Sequence, residues 1–130
     1  MSKWILVVDD NSVSRDLLAE LLEVDYEIIN AKNGIEALSI LSFQLGKVEA
    51  VLLDLMMPQM DGYEFLKQFN SKGWDKKVPV IVVSSNSDEV SRERCAELGI
   101  KFFLKKPYTF KEASIVINSA IADFKKDEKS

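Results

Sequence analysis

Five short segments rich in β-branched and aromatic residues alternate with five segments of helical periodicity along the whole 130-residue chain. The predicted strands are 4–8, 26–30, 50–53, 79–83 and 101–104. Strict strand–helix alternation is typical of a parallel sheet that is covered by helices on both faces, with right-handed crossovers. The sequence therefore predicts one doubly wound α/β domain over residues 1–124, followed by a polar C-terminal tail at 125–130 that frays into solvent.

Apolar residues spaced three or four positions apart predict the faces by which the five helices pack on the sheet. The predicted faces are, in chain order, Val13, Leu17, Leu18, Leu21 and Leu22; Ile35, Leu38, Leu41 and Leu45; Tyr63, Leu66 and Phe69; Val90, Cys95 and Leu98; and Phe110, Ala113, Val116, Ile117, Ala120, Ile121 and Phe124. The fourth helix has the sparsest apolar face, so we expect it to be the element that shifts most easily.

Asp54 is the only polar residue in the otherwise apolar segment 51–57. A short apolar run of this kind is typical of a strand buried on both faces of a parallel sheet. An ionised carboxylate there costs several kcal/mol unless a metal ion or a cationic side chain compensates it. The position of Asp54 at a strand end therefore indicates that the carboxylate is used for chemistry.

Other strand ends carry polar residues that would meet Asp54, because open α/β sheets form their sites at the carboxyl ends of the strands. Asp9 and Asp10 follow the first strand, Ser84 follows the fourth and Lys106 follows the fifth. Clustered carboxylates need a divalent cation, and oxygen ligands suit Mg²⁺, with Mn²⁺ as a substitute. A carboxylate nucleophile beside a metal ion and an ammonium group is suited to phosphoryl transfer.

Each of these residues also has an ordinary structural interpretation. Asp10, Asn11 and Ser12 precede a helix and could cap it. A serine at a strand end, such as Ser84, is commonly a turn or cap residue, and Lys106 could be a solvated lysine. Asp54 lacks such an interpretation, and the four strand ends together favour a functional site.

Composition excludes several other classes of protein. The net charge is −4, and the chain has no basic block of the kind that binds nucleic acid. No apolar run approaches the roughly 20 residues that span a membrane, and the N-terminus does not have the pattern of a signal peptide. A single Cys95 and the lack of histidine exclude a disulfide framework, a His/Cys metal site and a histidine-dependent triad. We expect a cytoplasmic protein that contacts neither nucleic acid nor membrane directly.

Four segments together resemble the response-regulator receiver domain of two-component systems, of the chemotaxis-regulator (CheY-like) type. They are Val-Val-Asp-Asp-Asn at 7–11, Asp-Leu-Met-Met-Pro-Gln-Met-Asp-Gly at 54–62, Val-Ser-Ser at 83–85 and Leu-Lys-Lys-Pro-Tyr at 104–108. The resemblance implies a flavodoxin-like fold with strand order 2-1-3-4-5. It also implies a phosphoacceptor that catalyses its own phosphorylation and dephosphorylation without being an enzyme in the usual sense.

The resemblance implies a role for each site residue. Asp54 would accept a phosphoryl group from a phosphohistidine on a sensor histidine kinase or a histidine phosphotransfer protein. Asp9, Asp10, Asp54 and the backbone carbonyl of Met56 would hold Mg²⁺. Lys106 would pair with the acyl phosphate, and the Lys106–Pro107 bond would be cis.

A second set of implied roles concerns switching and hydrolysis. Ser84, where Thr is commoner, would hydrogen-bond the phosphoryl group, and Phe103 would be the switch aromatic. Many members have Tyr at that position, so with Phe103 the inward and outward states would differ by packing alone. Met56 and Asn86 would tune hydrolysis, and the apolar Met56 implies slow to moderate dephosphorylation.

The output surface of the family lies on the fourth helix, the fifth strand and the fifth helix. Ile115 points roughly opposite the core residue Ile117 and would lie on or beside that surface, although a lone exposed apolar residue is usually without function. We expect no output domain after residue 124, so that the signal would pass by contact to a motor-type target, a second phosphotransfer protein or a separate effector protein. The chain could also be one receiver module of a larger protein.

Two other classes of protein share this architecture. A flavodoxin-like FMN carrier needs phosphate-binding turns rich in hydroxyl groups and glycine, whereas the acidic first loop, 9–12, would repel a flavin phosphate. A phosphatase of the haloacid-dehalogenase type has its nucleophile on the first strand in an Asp-x-Asp arrangement. Here the acids of the first strand are adjacent and the best nucleophile, Asp54, follows the third strand.

Overall fold

The computed structural model describes residues 4–57, 60–85 and 89–129, without the side chains of 127–129. The strands are β1 (Trp4–Val8), β2 (Glu27–Ala31), β3 (Val48–Leu53), β4 (Val80–Ser84) and β5 (Phe102–Lys105). The helices are α1 (Ser12–Leu22), α2 (Gly34–Gln44), α3 (Gly62–Ser71), α4 (Glu89–Glu97) and α5 (Phe110–Lys129). All five predicted strands are present, each within two residues of its predicted bounds.

The strands form one parallel sheet in the order β2-β1-β3-β4-β5, which confirms the predicted topology. Alternate residues of β1 point to opposite faces of the sheet, as the strand period requires. Leu6 and Val8 pack with α2 and α3, whereas Ile5 and Val7 pack with α1 and α5. The middle of the sheet is therefore covered on both faces, which explains the continuous apolar sequence of its strands.

The apolar faces of α1, α2, α4 and α5 each include residues that were predicted to be buried and are exposed. Leu18 and Leu22 are buried on α1 as predicted, but the residues predicted to continue the four faces are exposed. These exposed residues are Val13 and Leu17 on α1, Ile35 on α2, Val90 on α4 and Phe110 on α5. On α1 the buried row runs from Leu22 through Leu18 to the half-buried Ser14, because i and i+4 share a helix face. The rotation of α1 therefore turns Val13 outward and brings Ser14 toward the sheet.

The C-terminal helix is longer than predicted. α5 continues through Lys129, five residues beyond the predicted end of the domain at 124. Lys125, in the predicted polar tail, has its Nζ 3.7 Å from a carboxylate oxygen of Glu49. Residues 125–129 of the predicted polar tail therefore belong to α5. Within the described part of the chain, no helix has the length and apolar content needed to cross a membrane.

Candidate functional site

Adjacent strand ends bring three carboxylates together at one edge of the sheet. The register pairs Val8 of β1 with Leu53 of β3, so Asp9 and Asp54 leave neighbouring strands at the same level. Backbone hydrogen bonds fix both positions: the Asp54 N–H donates to the Val8 carbonyl at 2.9 Å, and the Asp9 N–H donates to the Ala31 carbonyl at 3.1 Å. The predicted convergence of the acids therefore follows from the pairing of the central strands.

The three carboxylates are arranged as a possible metal site. Asp9, Asp10 and Asp54 each offer one oxygen, and these atoms all lie within 4.8 Å of one another. Asp9 and Asp54 are buried, whereas Asp10 is exposed. Hard carboxylate oxygens, one of them open to solvent, are the ligands that Mg²⁺ prefers in proteins, since this ion usually keeps several waters. The residues present therefore fit the predicted magnesium site.

Burial sets the protonation of Asp54. Its side chain lies at the end of the buried β3 strand, and desolvation raises the pKa of this carboxyl from 3.8 to about 6. The Met56 N–H, which donates to Asp54 Oδ1 at 3.1 Å, and the Lys106 ammonium group lower this pKa, whereas the charge of Asp9 raises it further. Ionised Asp54 is therefore poorly compensated by the protein alone, and a bound cation would favour the ionised, nucleophilic form.

Lys106 forms ion pairs with two of the acids, Asp9 and Asp54. Its Nζ lies 3.1 Å from Asp9 Oδ2 and 3.6 Å from Asp54 Oδ2, and the side chain is about one fifth exposed. The Lys106 N–H donates to the carbonyl of Ser84 at 3.0 Å, and Ser84 is fully buried at the end of β4. The Lys106–Pro107 bond is cis, as the resemblance implied. The structure thus brings Asp9, Asp54, Ser84 and Lys106 to one edge of the sheet.

Two residues of α1 that were not predicted as site residues, Ser14 and Arg15, contact the site. The Ser14 Oγ lies 3.4 Å from Lys106 Nζ, and the Arg15 guanidinium donates to the carbonyl of Asp9 at 2.7 Å. Asn11 caps α1 by accepting from the Ser14 N–H at 3.1 Å, so the capping interpretation holds for Asn11. Ser14 and Arg15 lie about one helical turn after the Asn11 cap, and this spacing could have identified them as residues near the strand ends.

A third neighbour of the acids is Tyr108, in the loop before α5. Burial raises the pKa of Tyr108 to about 12, and the negative charge of Asp9 adds to the effect. The phenol therefore stays protonated throughout the physiological pH range.

The predicted switch residue Phe103 is half-buried in β5 and packs against a small cluster formed by Leu55, Tyr63, Val82 and Cys95. The guanidinium carbon of Arg92, on α4, lies 4.7 Å from the centre of the Phe103 ring. The guanidinium carbon of Arg94 lies 3.6 Å from the centre of the Tyr63 ring. A cation–π contact with α4 therefore adds to the packing that holds the Phe103 ring in this conformation. That its inward and outward states differ by packing alone stays a prediction.

The remaining predicted residues lie around the site or on the output surface. Met56 follows Asp54 with an exposed side chain, and Ile115 is exposed on α5. The role of the Met56 carbonyl as a metal ligand stays a prediction. Asn86 lies outside the described residues, so its predicted role in hydrolysis stays a prediction.

Comparisons with known proteins agree with this geometry. Residues 5–118 match the response regulator receiver domain family. The chain is 37% identical over 120 residues to the probable transcriptional regulator ycf27 of Cyanophora paradoxa, covering 92% of this chain and 48% of that protein. It is 32% identical over 118 residues to the two-component response regulator ORR3 of Oryza sativa subsp. indica, covering 90% of this chain and 89% of that protein.

A solved structure shows the same fold. The receiver domain of the sensor histidine kinase PA1611 from Pseudomonas aeruginosa PAO1, with a magnesium ion coordinated in its active site cleft, has a TM-score of 0.81. It is 26% identical and covers 94% of this chain and 99% of that one. The chain spans about half of the ycf27 relative and as little as 11% of other relatives that are sensor kinases. With its family match, its 2-1-3-4-5 sheet and its edge of acids, this chain belongs to the response-regulator receiver domains of two-component signalling.

Proposed function

We propose that Asp54 accepts a phosphoryl group, in a Mg²⁺-dependent reaction, from a phosphohistidine on a sensor histidine kinase or a phosphotransfer protein. The observation that carries the proposal is the buried Asp54 carboxylate between Lys106 and two further acids. Receiver domains as a family are phosphoacceptors, and the PA1611 receiver binds magnesium in its active site cleft. We place the reaction in the cytoplasm, where this class of partner presents its phosphohistidine.

Each residue of the site has a distinct part in the proposed reaction. Asp54 supplies the attacking oxygen, and its bond to phosphorus forms as the bond between phosphorus and the histidine nitrogen breaks. A magnesium ion held by Asp9, Asp10, Asp54 and the carbonyl of Met56 would supply positive charge near the transferring oxygens. The Lys106 ammonium group, already 3.6 Å from Asp54, pairs with the phosphoryl oxygens once they are in place.

Incubation with acetyl phosphate and MgCl₂, followed by intact-mass measurement, tests this proposal. We expect the native chain to gain the mass of one phosphoryl group and Asp54→Asn to gain none, since the attacking carboxylate is lost. Asp61→Asn is the matched control, because Asp61 is an exposed acid of the same loop and Asn preserves its helix cap. Modification that persists in Asp54→Asn, or that is unaffected by EDTA, contradicts the proposal. So does a native chain that reacts with neither acetyl phosphate nor phosphoramidate.

We propose that Ser84 and Phe103 convert phosphorylation into a conformational change. Ser84 would turn its hydroxyl to the phosphoryl group, and Phe103 would move into the space this opens. The cation–π contact between Arg92 and Phe103 supports a connection to α4, because an inward movement of the ring changes its distance from the guanidinium group. α4 is suited to such a shift, since its buried side chains are only Ser91 and Cys95 among its described residues.

Self-dephosphorylation is expected to be slow to moderate. The Met56 side chain, beside the acceptor and 64% exposed, offers no hydrogen bond to an attacking water. Met56→Asn should raise the hydrolysis rate roughly threefold to tenfold by orienting that water. Decay of the phosphorylated protein, followed by intact mass after removal of the donor, measures the rate. Ile35→Asn, a similar change at an exposed residue of α2, is the control. A native half-life as short as that of the fastest chemotaxis regulators would contradict the expectation.

We propose that the signal leaves by protein–protein contact through α4, β5 and α5, with Ile115 as a contact residue. Ile115 is 55% exposed on α5, beside β5. Some relatives have nearly the length of this chain, and others are about twice as long. By analogy with the shorter relatives, we propose that this receiver acts on a separate partner protein.

Replacement of Ile115 with Lys should weaken partner binding or self-association of the phosphorylated protein at least about tenfold, since it places a charge in an apolar contact. Sedimentation and titration calorimetry measure the two affinities. Val24→Lys, at the more exposed Val24 near the opposite edge of the sheet, is the control. If Ile115→Lys leaves both the partner affinity and the self-association constant unchanged, Ile115 has no part in the interface.

A further inference from the structure

A cavity of about 330 Å³ lies at the end of the sheet opposite the carboxylates. It forms because β5 begins late: Phe102, the first residue of β5, pairs with Ile81, so the start of β4 at Val80 has no β5 neighbour in the described register. The residues that link α4 to β5 pass over this gap, and the second half of α5 closes its other side. The space is large enough for a small ligand.

The walls of the cavity are mainly apolar and aromatic. Its lining includes Phe69 from α3, Phe102 from β5, and Ala120 and Phe124 from α5. Phe69 and Ala120 are buried in the core, whereas Phe102 and Phe124 are half-buried. Ring faces and edges favour a flat apolar occupant over a branched polar one.

The polar groups of the cavity are few and balanced in charge. Asp75 and Asp123 oppose Lys76 and Lys101, so the lining has no net charge. Lys101 Nζ lies 3.6 Å from Asp123, and both side chains are substantially exposed, which places this pair at the rim. Asn70 also lines the cavity, and its amide N–H donates to the Leu98 carbonyl at 2.8 Å. Because the amide nitrogen is used in this bond, the oxygen Oδ1 is the group that Asn70 can offer to a ligand as an acceptor.

The shape of the wall is held by backbone structure as well. Gly99, with φ of 87°, ends α4 in the left-handed conformation, and the Ile100 N–H donates to the Cys95 carbonyl at 2.9 Å. This closing turn and the Asn70–Leu98 bond hold the backbone of 98–100, on one side of the cavity, before any ligand arrives. A preformed cavity costs a ligand little ordering free energy.

We propose that this cavity is a binding site for a small neutral aromatic or heteroaromatic molecule with one hydrogen-bond donor. The ring packs against the half-buried Phe102 and Phe124, and its N–H or O–H donates to Asn70 Oδ1. The site is separate from the carboxylate edge, and its existence does not depend on phosphorylation of the protein.

Titration with indole, followed by amide chemical shifts of the full chain, tests the proposal. Indole should bind with a dissociation constant on the order of 10⁻⁴ to 10⁻³ M and shift the amides of 98–102 and of α5 near Ala120. Its anionic analogue indole-3-acetate and its cationic analogue tryptamine should each bind more weakly. Tighter binding of either charged analogue overturns the neutral class of ligand, and an absence of shifts around the cavity overturns the site.

Two blocking variants locate the binding. Ile100→Trp places a larger side chain at the cavity wall from a half-buried position, and Ala120→Met fills it from α5. Each should weaken indole binding at least tenfold, and the Ile100 variant keeps the test decisive if the Ala120 variant fails to fold. Val24→Trp, in the exposed turn after α1, should bind indole as the native chain does. Unchanged binding in folded Ile100→Trp overturns the proposal.

Discussion

Replacement of Asp54 with Asn is expected to stabilise the folded protein at pH 8 and to leave its stability nearly unchanged at pH 4. Burial raises the pKa of this carboxyl to about 6 in the folded protein, against 3.8 for an ordinary aspartate. Because the folded-state value is the higher one, the folded state binds this proton more tightly than the unfolded state. The corresponding stability is present below pH 3.8 and is lost as the pH rises through 6.

The expected size of the effect follows from these two values. A carboxyl with a pKa of about 6 when folded and 3.8 when unfolded costs the folded state about 3 kcal/mol once it is fully ionised. Asn removes this cost because it resembles the protonated acid. We therefore expect Asp54→Asn to be more stable than the native chain by roughly 2–3 kcal/mol at pH 8, with the difference disappearing toward pH 4.

Urea unfolding in EDTA at pH 4, 6 and 8, followed by tryptophan fluorescence, measures this difference. Trp74 is a suitable reporter, because its ring packs edge-on against that of Phe69 in the core. Asp16→Asn, which removes an exposed carboxylate, controls for the change in net charge. Added Mg²⁺ should stabilise the native chain more than the Asp54 variant, since a bound cation favours the ionised acid. An Asp54 variant that is less stable than the native chain at pH 8 would contradict this account.

The strands and the positions of the acids could be predicted from the sequence, and the physical reason is the same for both. A strand buried on both faces has a continuous apolar sequence, so β1, β3 and β4 stand out and their ends are defined by the first polar residue. Asp9 and Asp54 each follow such an end, and Lys106 follows the partly buried edge strand β5. Once the sheet is parallel, these residues must meet at one edge, and no knowledge of side-chain conformation is needed.

The faces of the helices were harder to predict, because their rotation is set by packing and not by periodicity alone. On α1, Val13 and Leu17 belong to the apolar pattern, yet the helix turns Ser14 inward and Val13 outward. The contact of Ser14 with Lys106 and that of Arg15 with the Asp9 carbonyl depend on this rotation. Phe110, the first residue of α5, likewise belongs to the predicted apolar face of its helix but is exposed.

The contacts of α4 show a different limit. This helix has a sparse apolar face, as predicted, and two of its arginines lie over rings of neighbouring elements. Such guanidinium–ring contacts depend on the rotamers of long side chains, which the spacing of Arg92 and Arg94 does not determine. A weakly anchored helix held partly by these contacts is consistent with an element that shifts on activation.

Gly62, at the start of α3, packs closely against the backbone of Asp54 and Leu55. Its replacement with Ala is expected to be strongly destabilising. A Cβ at Gly62 would lie 2.7 Å from the Cα of Leu55 and 3.0 Å from the carbonyl oxygen of Asp54. Both are backbone atoms, so rotation of a side chain cannot relieve the contact. The Gly62 N–H also donates to the Leu55 carbonyl at 3.0 Å, which holds the two segments together.

Because the backbone itself must move, Gly62→Ala should lower the free energy of unfolding by about 2–4 kcal/mol, as overpacking of a buried position does. Gly46→Ala is the matched control: Gly46 is exposed, and a Cβ there would meet no atom within 4 Å. That variant should change the stability by less than about 0.5 kcal/mol. Urea unfolding of the two variants beside the native chain provides the comparison. Equal stabilities would show that the backbone after β3 can move to accommodate the added Cβ without lowering the free energy of unfolding. The close approach of Gly62 to Leu55 and Asp54 would then have no part in holding the acceptor.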